Sequence, residues 1–334
     1  MFKICIIGCG HMARHGHGPA LKKYCDTYGG SVLAACCDID PQRAEAFKEQ
    51  FGFQRAYTDY KLMLDTEKPD AVCLISPVDV TCEMAIQILK MGYPLILEKP
   101  PGKNTAETER LMQVAKDSHV TVRVAFNRRY TPLLMALKEF TNNETIRNIT
   151  YQMYRKDRRD DDFSTTTIHA IDAVKFIAES EYKTVDFTYQ QIAGESENIA
   201  NIYLNGVFEN DVVAQLSLVA MGGTVAERIS VNTNAATYFV ELPFWSNPDS
   251  PGKLTRLVGN KTTHVITGDS LIDSTEMFEE SGFFEENKNF FELVKLKNNT
   301  EDVSSGLQSV ELADYIRKRK TKYIKNNTPK ALHC

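Results

Sequence analysis

A chain of 334 residues is longer than one hydrophobic core usually serves and fits two domains. With 43% hydrophobic and 25% charged residues it has the composition of a globular protein, and a net charge of −5 without a basic tail or cluster argues against nucleic acid as a partner. No apolar run approaches the roughly 20 residues of a membrane helix, and a glycine turn interrupts the first apolar run, Phe2 to Gly8, where a signal peptide would continue.

Taken in chain order, Phe2–Ile7 is a β-branched run closed by Gly8-Cys9-Gly10-His11-Met12-Ala13, and a helix-like stretch continues to about Lys23. Ser31–Cys37 reads as a second strand ended by Asp38, and Pro41–Phe51 as a helix whose early proline lacks an N–H that would go unused there. Ala71–Ser76 is a third buried strand, Val80–Met91 a helix, and Tyr93–Leu97 a fourth strand leading into Glu98-Lys99-Pro100. Thr105–Asp117 reads as a helix capped by Asn104 or Thr105, followed by a strand over Val120–Phe126. Strands alternating with helices predict a parallel sheet covered on both faces.

The pattern then changes. Helix-like Leu133–Phe140 leads to a strand at Ile149–Tyr154 and a helix at Thr165–Ala178. Alternating strands follow at Thr184–Ile192, Asn198–Leu204, Val212–Val219, Arg228–Thr233 and Thr237–Leu242, with closing helices near Phe283–Lys297 and Ser304–Lys318. The expected fold class is α/β plus α+β: a parallel-sheet domain over 1–125 and a mainly antiparallel domain over 126–334 that binds substrate and carries oligomerisation.

Gly8, Gly10, His11, Met12 and Ala13 form the turn from first strand to first helix, and Asp38 with Ile39 follows the second strand. That context is what a Rossmann dinucleotide fingerprint requires. Gly8 permits the tight turn, Gly10 admits the pyrophosphate and Ala13 allows close helix–strand packing, while the helix N-terminus supplies donors. Asp38 would accept the ribose hydroxyls; with Asp40 nearby and no arginine or serine pair at hand, NAD is expected over NADP. His11, His15 and His17 lack an accompanying ligand set, so no metal is expected and a solvated or packing role is assigned. Among the eight cysteines, Cys5, Cys36, Cys37 and Cys73 sit in apolar runs and Cys25, Cys82 and Cys334 are scattered; none has metal-ligand spacing. They read as reduced thiols of a cytoplasmic protein.

Glu98-Lys99-Pro100 after a Rossmann strand, followed by an α+β region, resembles the glucose–fructose oxidoreductase/inositol dehydrogenase (Gfo/Idh/MocA) family. Ile6-Ile7-Gly8-Cys9-Gly10, the pair Ser76-Pro77, Gly92 to Leu97, Phe126 to Pro132, His169-Ala170-Ile171-Asp172 and the phenylalanine-rich 283–293 segment support the resemblance. It implies hydride transfer between NAD(P) and a hydroxyl or carbonyl carbon of a sugar, cyclitol or related molecule. It also places Ser76, Pro77, Glu98 and Lys99 near the cofactor. The open face of the second sheet predicts a homo-oligomer (dimer or tetramer).

The residue chemistry stands beside that. Lys99 at the carboxyl edge of the sheet would polarise a reacting oxygen. His169 would exchange the hydroxyl proton, and Asp172, one turn on, would be structural or orienting. Arg129 and Tyr130 either line the site or, for Arg129, form a helix-entry or interdomain ion pair. In the run Arg155 to Asp162, Arg155 or Arg158 would meet a polyhydroxylated or acidic substrate unless the run is only a solvated loop.

Two departures from the family's pattern touch the mechanism. Thr165 stands where many members carry an aspartate four residues before the histidine, and Thr81 stands where a histidine is expected. Thr165 would then contact substrate or cap the helix. The alternatives to an enzyme are a dinucleotide-binding regulator that has lost its chemistry and a partner-binding protein using the second sheet.

Overall fold

The computed structural model describes residues 1–325 apart from Asp161, Ser246 and Thr275. Cys334, and Asp161 within the charged run Arg155 to Asp162, lie outside the described residues. Six strands, β1 (Phe2–Ile7), β2 (Ser31–Cys37), β3 (Arg55–Tyr57), β4 (Ala71–Leu74), β5 (Leu95–Glu98) and β6 (Val122–Ala125), form one parallel sheet in the order β3-β2-β1-β4-β5-β6. The order reverses between β1 and β4, which sets a crevice at their carboxyl ends. The connecting helices are α1 (Gly18–Thr27), α2 (Pro41–Phe51), α3 (Tyr60–Glu67), α4 (Val78–Lys90) and α5 (Thr105–Ser118).

Local chemistry explains the helix ends. Asp40 caps α2 by accepting from the amides of Gln42 and Arg43, and Gly52 closes that helix at φ +80°. Asn104, rather than Thr105, caps α5 by accepting from the Glu107 amide. A wide π-helical turn, Ala13–His17, precedes α1, so the first helix is irregular where it leaves the glycine turn. The sequence reading did not resolve β3 and α3, because a three-residue, half-exposed edge strand has no buried run to announce it.

The second region comprises α6 (Pro132–Thr141), β7 (Ile146–Lys156), α7 (Ser164–Ala178), β8 (Tyr182–Gln191), β9 (Ala200–Phe208), β10 (Val213–Gly222), β11 (Ala226–Thr233), β12 (Thr237–Leu242), β13 (Lys253–Val258), β14 (Lys261–Thr267), α8 (Met277–Glu280), α9 (Phe283–Lys295), α10 (Val303–Arg317) and β15 (Lys322–Ile324). Its nine strands run in the order β14-β13-β12-β11-β7-β10-β9-β8-β15, antiparallel except for the parallel pair β7 and β10. Along β7 the inward positions are Ile149, Tyr151, Met153 and Arg155, and the first three pack with Ala170, Ile171 and Val174 of α7. The hairpin β13–β14 was not expected, since β14 is largely exposed and polar.

The last two long helices return to the first sheet. Phe290 and Phe291 of α9 share a core with Ile4, Ile6 and Leu21, while Val303, Val310 and Ala313 of α10 share one with Cys5, Leu95 and Val122 on the opposite face. Burying each of those phenylalanines contributes about 2–3 kcal/mol. A boundary at residue 125 therefore separates the two sheets but not the two cores. Among the described residues, no helix is long and apolar enough to cross a membrane.

Candidate active site

Two concavities meet at the glycine turn. The first, about 580 Å³, lies at the carboxyl ends of β1, β2 and β4 and is lined by Gly8, Gly10, Asp38, Ile39, Ser76 and Pro77, with Arg43, Tyr60 and Val80 among others. Gly8 sits at φ +93°, and a Cβ there would lie 2.0 Å from the Ile75 carbonyl oxygen, so only glycine fits. Gly10 has nothing within 4 Å of its Cβ position, leaving the backbone open to a ligand. Asp38 is fixed by two backbone amides, accepting from Cys9 at 2.9 Å and from Asp40 at 3.0 Å. These residues fit a dinucleotide: a glycine cradle, a helix start beneath it and a held carboxylate for the ribose.

One expectation is corrected here. An arginine is at hand: Arg43, on the first turn of α2, lies 3.4 Å from both Asp38 and Asp40 and lines the cleft. It escaped notice because it sits five residues beyond Asp38 in sequence and is swung back by the helix.

The second concavity, about 460 Å³, lies between the sheets. It is lined by Lys99 and His169, by His11 and Met12 from the glycine turn, by Arg128, Arg155, Lys156 and Arg158, and by Phe244 and Trp245. His11 and Met12, expected at the cofactor, thus face this cavity, and Ala13 is buried behind the turn. His11 stacks on Trp245 with ring centroids 5.2 Å apart. Lys99 follows β5 and donates to the Thr165 carbonyl at 3.1 Å, which ties the first sheet to α7. Burial, together with Arg128, Arg158 and Arg155, pushes the Lys99 ammonium below its usual range, opposed by Glu98.

Glu98 is itself held. It accepts the Lys99 amide at 3.1 Å and meets His17 Nε2 at 3.0 Å, while the other His17 nitrogen faces Asn287 of α9. Burial raises Glu98, but the His17 hydrogen bond and charge and the Lys99 charge outweigh it and leave its carboxyl below the ordinary range. His17 therefore packs in the interior, whereas His11 and His15 both touch Trp245.

His169 projects from α7. Burial and the cations Lys99, Arg128 and Arg155 push its imidazole well below the ordinary range, so it is neutral at physiological pH. Its Nδ1 is buried and has no hydrogen-bond partner among the described residues. Asp172 is not that partner: its carboxylate accepts from Arg129 at 2.7 and 2.6 Å and from Ser309 at 3.1 Å.

Arg129, expected either to line the site or to form an ion pair, forms the ion pair and stands over the Phe126 ring. Tyr130, expected at the site, reaches Asn289 instead. Thr165 contributes its carbonyl; its hydroxyl donates to the Asp162 carbonyl at 3.1 Å, and its neighbour Thr166 faces the cavity. The charged run divides by direction. Arg155, Lys156 and Arg158 face the cavity, while Arg159 pairs with Glu195 and Asp162 with Arg317.

Sequence reasoning missed Arg128 and Phe244. Arg128 and Arg155 both bond the fully buried Glu227, and each guanidinium lies over the Phe244 ring, at 4.5 and 4.4 Å. The inward phase of Arg155 on β7 was the available signal; nothing local marked Glu227 or Phe244. The lone tryptophan of the chain, Trp245, was a further unread one.

The two-sheet architecture, the glycine cradle and the adjoining charged cavity define a Rossmann-type dinucleotide-binding protein with a second, mainly antiparallel domain. Residues 2–126 match the model of the Gfo/Idh/MocA oxidoreductase family, NAD-binding Rossmann fold. The chain is 30% identical to a myo-inositol 2-dehydrogenase of Thermotoga maritima over 144 residues, which is 43% of this chain and 42% of that relative. The match thus spans less than half of the relative's length. The whole fold is shared with a Gfo/Idh/MocA family oxidoreductase of Vibrio cholerae, at TM-score 0.79 and 21% identity over 96% of this chain and 98% of that one. It is also shared with levoglucosan dehydrogenase in complex with NADH, at TM-score 0.79 and 14% identity over 98% of this chain and 100% of that one.

Proposed function

We propose that this chain is an NAD-dependent oxidoreductase acting on a hydroxyl or carbonyl carbon of a sugar, cyclitol or related small molecule. The observation that carries the proposal is the convergence of Lys99 and His169 on one cavity that also contains the His11–Met12 edge of the dinucleotide turn. When bound, the nicotinamide supplies the hydride acceptor or donor. Lys99 places its ammonium against the reacting oxygen, where it stabilises developing negative charge. His169, neutral by burial and by its cationic neighbours, takes the hydroxyl proton when an alcohol is oxidised. Glu98 and Thr165 hold Lys99 through its backbone and ammonium respectively, and the Arg129–Asp172 pair positions α7.

The NAD preference rests on Asp38 and Asp40. Arg43 lies against both carboxylates and neutralises part of their charge without presenting a free cation to a 2′-phosphate. The seven described cysteines are free, which suits a cytoplasmic protein. The open face of the second sheet exposes Val213, Phe239 and Val265 among polar side chains, a surface on which a second copy could pack as a dimer or tetramer.

Calorimetric titration with NAD and NADP, followed by nicotinamide absorbance with a panel of sugars and cyclitols, tests the proposal. Tighter NAD binding and turnover of at least one polyol are expected. Saturable NAD binding with no turnover would replace the enzyme by a dinucleotide-binding regulator, the reading that Thr165 in place of a carboxylate favours.

A further inference from the structure

We infer that the substrate carries an anionic group, a carboxylate or a phosphate, which the Arg155–Lys156–Arg158 edge of the cavity holds while the reacting carbon lies at Lys99 and His169. The inference rests on the oxidoreductase reading of this cavity and adds the substrate's charge to it.

Charge balance is the first argument. Among the described residues, five cations, Lys99, Arg128, Arg155, Lys156 and Arg158, line the cavity with a single carboxylate, Glu98. Glu98 is already committed to His17 and to the Lys99 amide. Behind the wall, Glu227 serves Arg128 and Arg155 together, at 3.2 and 2.8 Å from Arg128, and also accepts from Tyr151. Arg158 meets Asp160 at the solvent edge. Three carboxylates against five cations leave the cavity with surplus positive charge in a partly desolvated space, an arrangement that costs free energy until an anion arrives. The depressed ionisation of Lys99 and His169, in which Arg128 and Arg155 take part, registers the same field.

Donor geometry is the second argument. Of the five N–H donors of Arg155, one bonds the Tyr154 carbonyl at 2.9 Å and one bonds Glu227, which leaves donors for a ligand. The guanidinium is held against Phe244 and Arg155 as a residue is 4% exposed, so the group is fixed before a ligand binds. It is also in the inward phase of β7 with Ile149, Tyr151 and Met153, where an aliphatic side chain would pack at no electrostatic cost. A neutral polyol needs none of this; a planar carboxylate or a phosphate matches a fixed fork flanked by two exposed cations.

Calorimetry on the NAD-saturated protein with D-glucose, D-glucuronate and D-glucose 6-phosphate, at low and high salt, tests the inference. One of the acids is expected to bind at least about tenfold tighter than glucose, with an advantage that shrinks in salt. The glucuronate and glucose 6-phosphate arms distinguish a carboxylate from a phosphate. A Lys156→Gln/Arg158→Gln double variant, altered only at exposed positions, is expected to lose that advantage while binding NAD normally. Equal or tighter binding of glucose, failure of both acids to bind, or an advantage retained by the double variant would overturn the inference. Turnover of neutral sugars without acid preference would overturn it and leave the oxidoreductase standing. Acid binding without turnover of any probe would sustain the anion site and overturn the oxidoreductase.

Discussion

The two concavities that share the glycine turn are built in opposite ways. The dinucleotide cleft is lined by backbone, apolar side chains and a few polar groups at the ends of consecutive strands, all within residues 7–84. The neighbouring cavity draws on positions from His11 to Phe283 and is dominated by side-chain charge. A cleft of the first kind depends on where the chain can turn and on amides that cannot mutate. A cavity of the second kind depends on side chains whose charge each neighbour modifies, so its chemistry is a collective property. Changes in the cavity should therefore act on rate and stability and spare NAD.

The largest effect is expected from Glu227→Gln. Removing the one carboxylate between two buried guanidiniums should destabilise the fold by about 3–5 kcal/mol, read by denaturant unfolding. A loss below about 1 kcal/mol would mean that solvent already screens the triad, and the contrast between the two concavities would weaken.

Lys99→Met should lower turnover by on the order of a hundredfold or more while leaving NAD affinity nearly unchanged. Steady-state kinetics with calorimetry on the same variant separates the two, and near-normal turnover would reduce Lys99 to the tether between β5 and α7.

His169→Ala should cost turnover by about a hundredfold, whereas Thr165→Ala should cost at most ~1 kcal/mol of stability, because its hydroxyl makes one local bond and its carbonyl is retained. The direction of the His169 shift also sets a pH dependence. Since the imidazole gains its proton only well below the ordinary histidine range, kcat/KM should stay level as pH falls through about 6.5. Stability moves the other way: the unfolded chain binds that proton first, so the folded state loses free energy as pH drops below about 6.5, and less so in His169→Ala.

A pH-dependent effect on stability alone is expected at Glu286, buried on α9 with neither carboxyl oxygen partnered among the described residues. Burial and the nearby Glu98 and Asp302 push its carboxyl well above the ordinary range, so the folded protein keeps it protonated while the unfolded chain ionises above about pH 4.5. The folded state is therefore penalised increasingly as pH rises. Glu286→Gln should remove that penalty, raising Tm at pH 8 by more than at pH 5, on the order of 1 kcal/mol or more in the difference. An equal change at both pH values would show that Glu286 is ionised in the fold.

The sequence by itself determined the alternation of strands and helices to Phe126, the glycine cradle at Gly8 and Gly10, the acid at Asp38, and the placing of Lys99 at a strand end and His169 on a helix. Each is a local property: a buried run, a φ that only glycine tolerates, a helical period. Only the tertiary structure decided that Arg43 reaches Asp38, that Arg129 and Asp172 bind each other, that His169 Nδ1 has no partner among the described residues, and that α9 and α10 return to cover the first sheet. The same holds for the joining of Arg128 and Arg155 through a glutamate 99 and 72 positions away. Such pairings are set by which faces the packed core brings together, and no local pattern of residues encodes a partner a hundred positions distant.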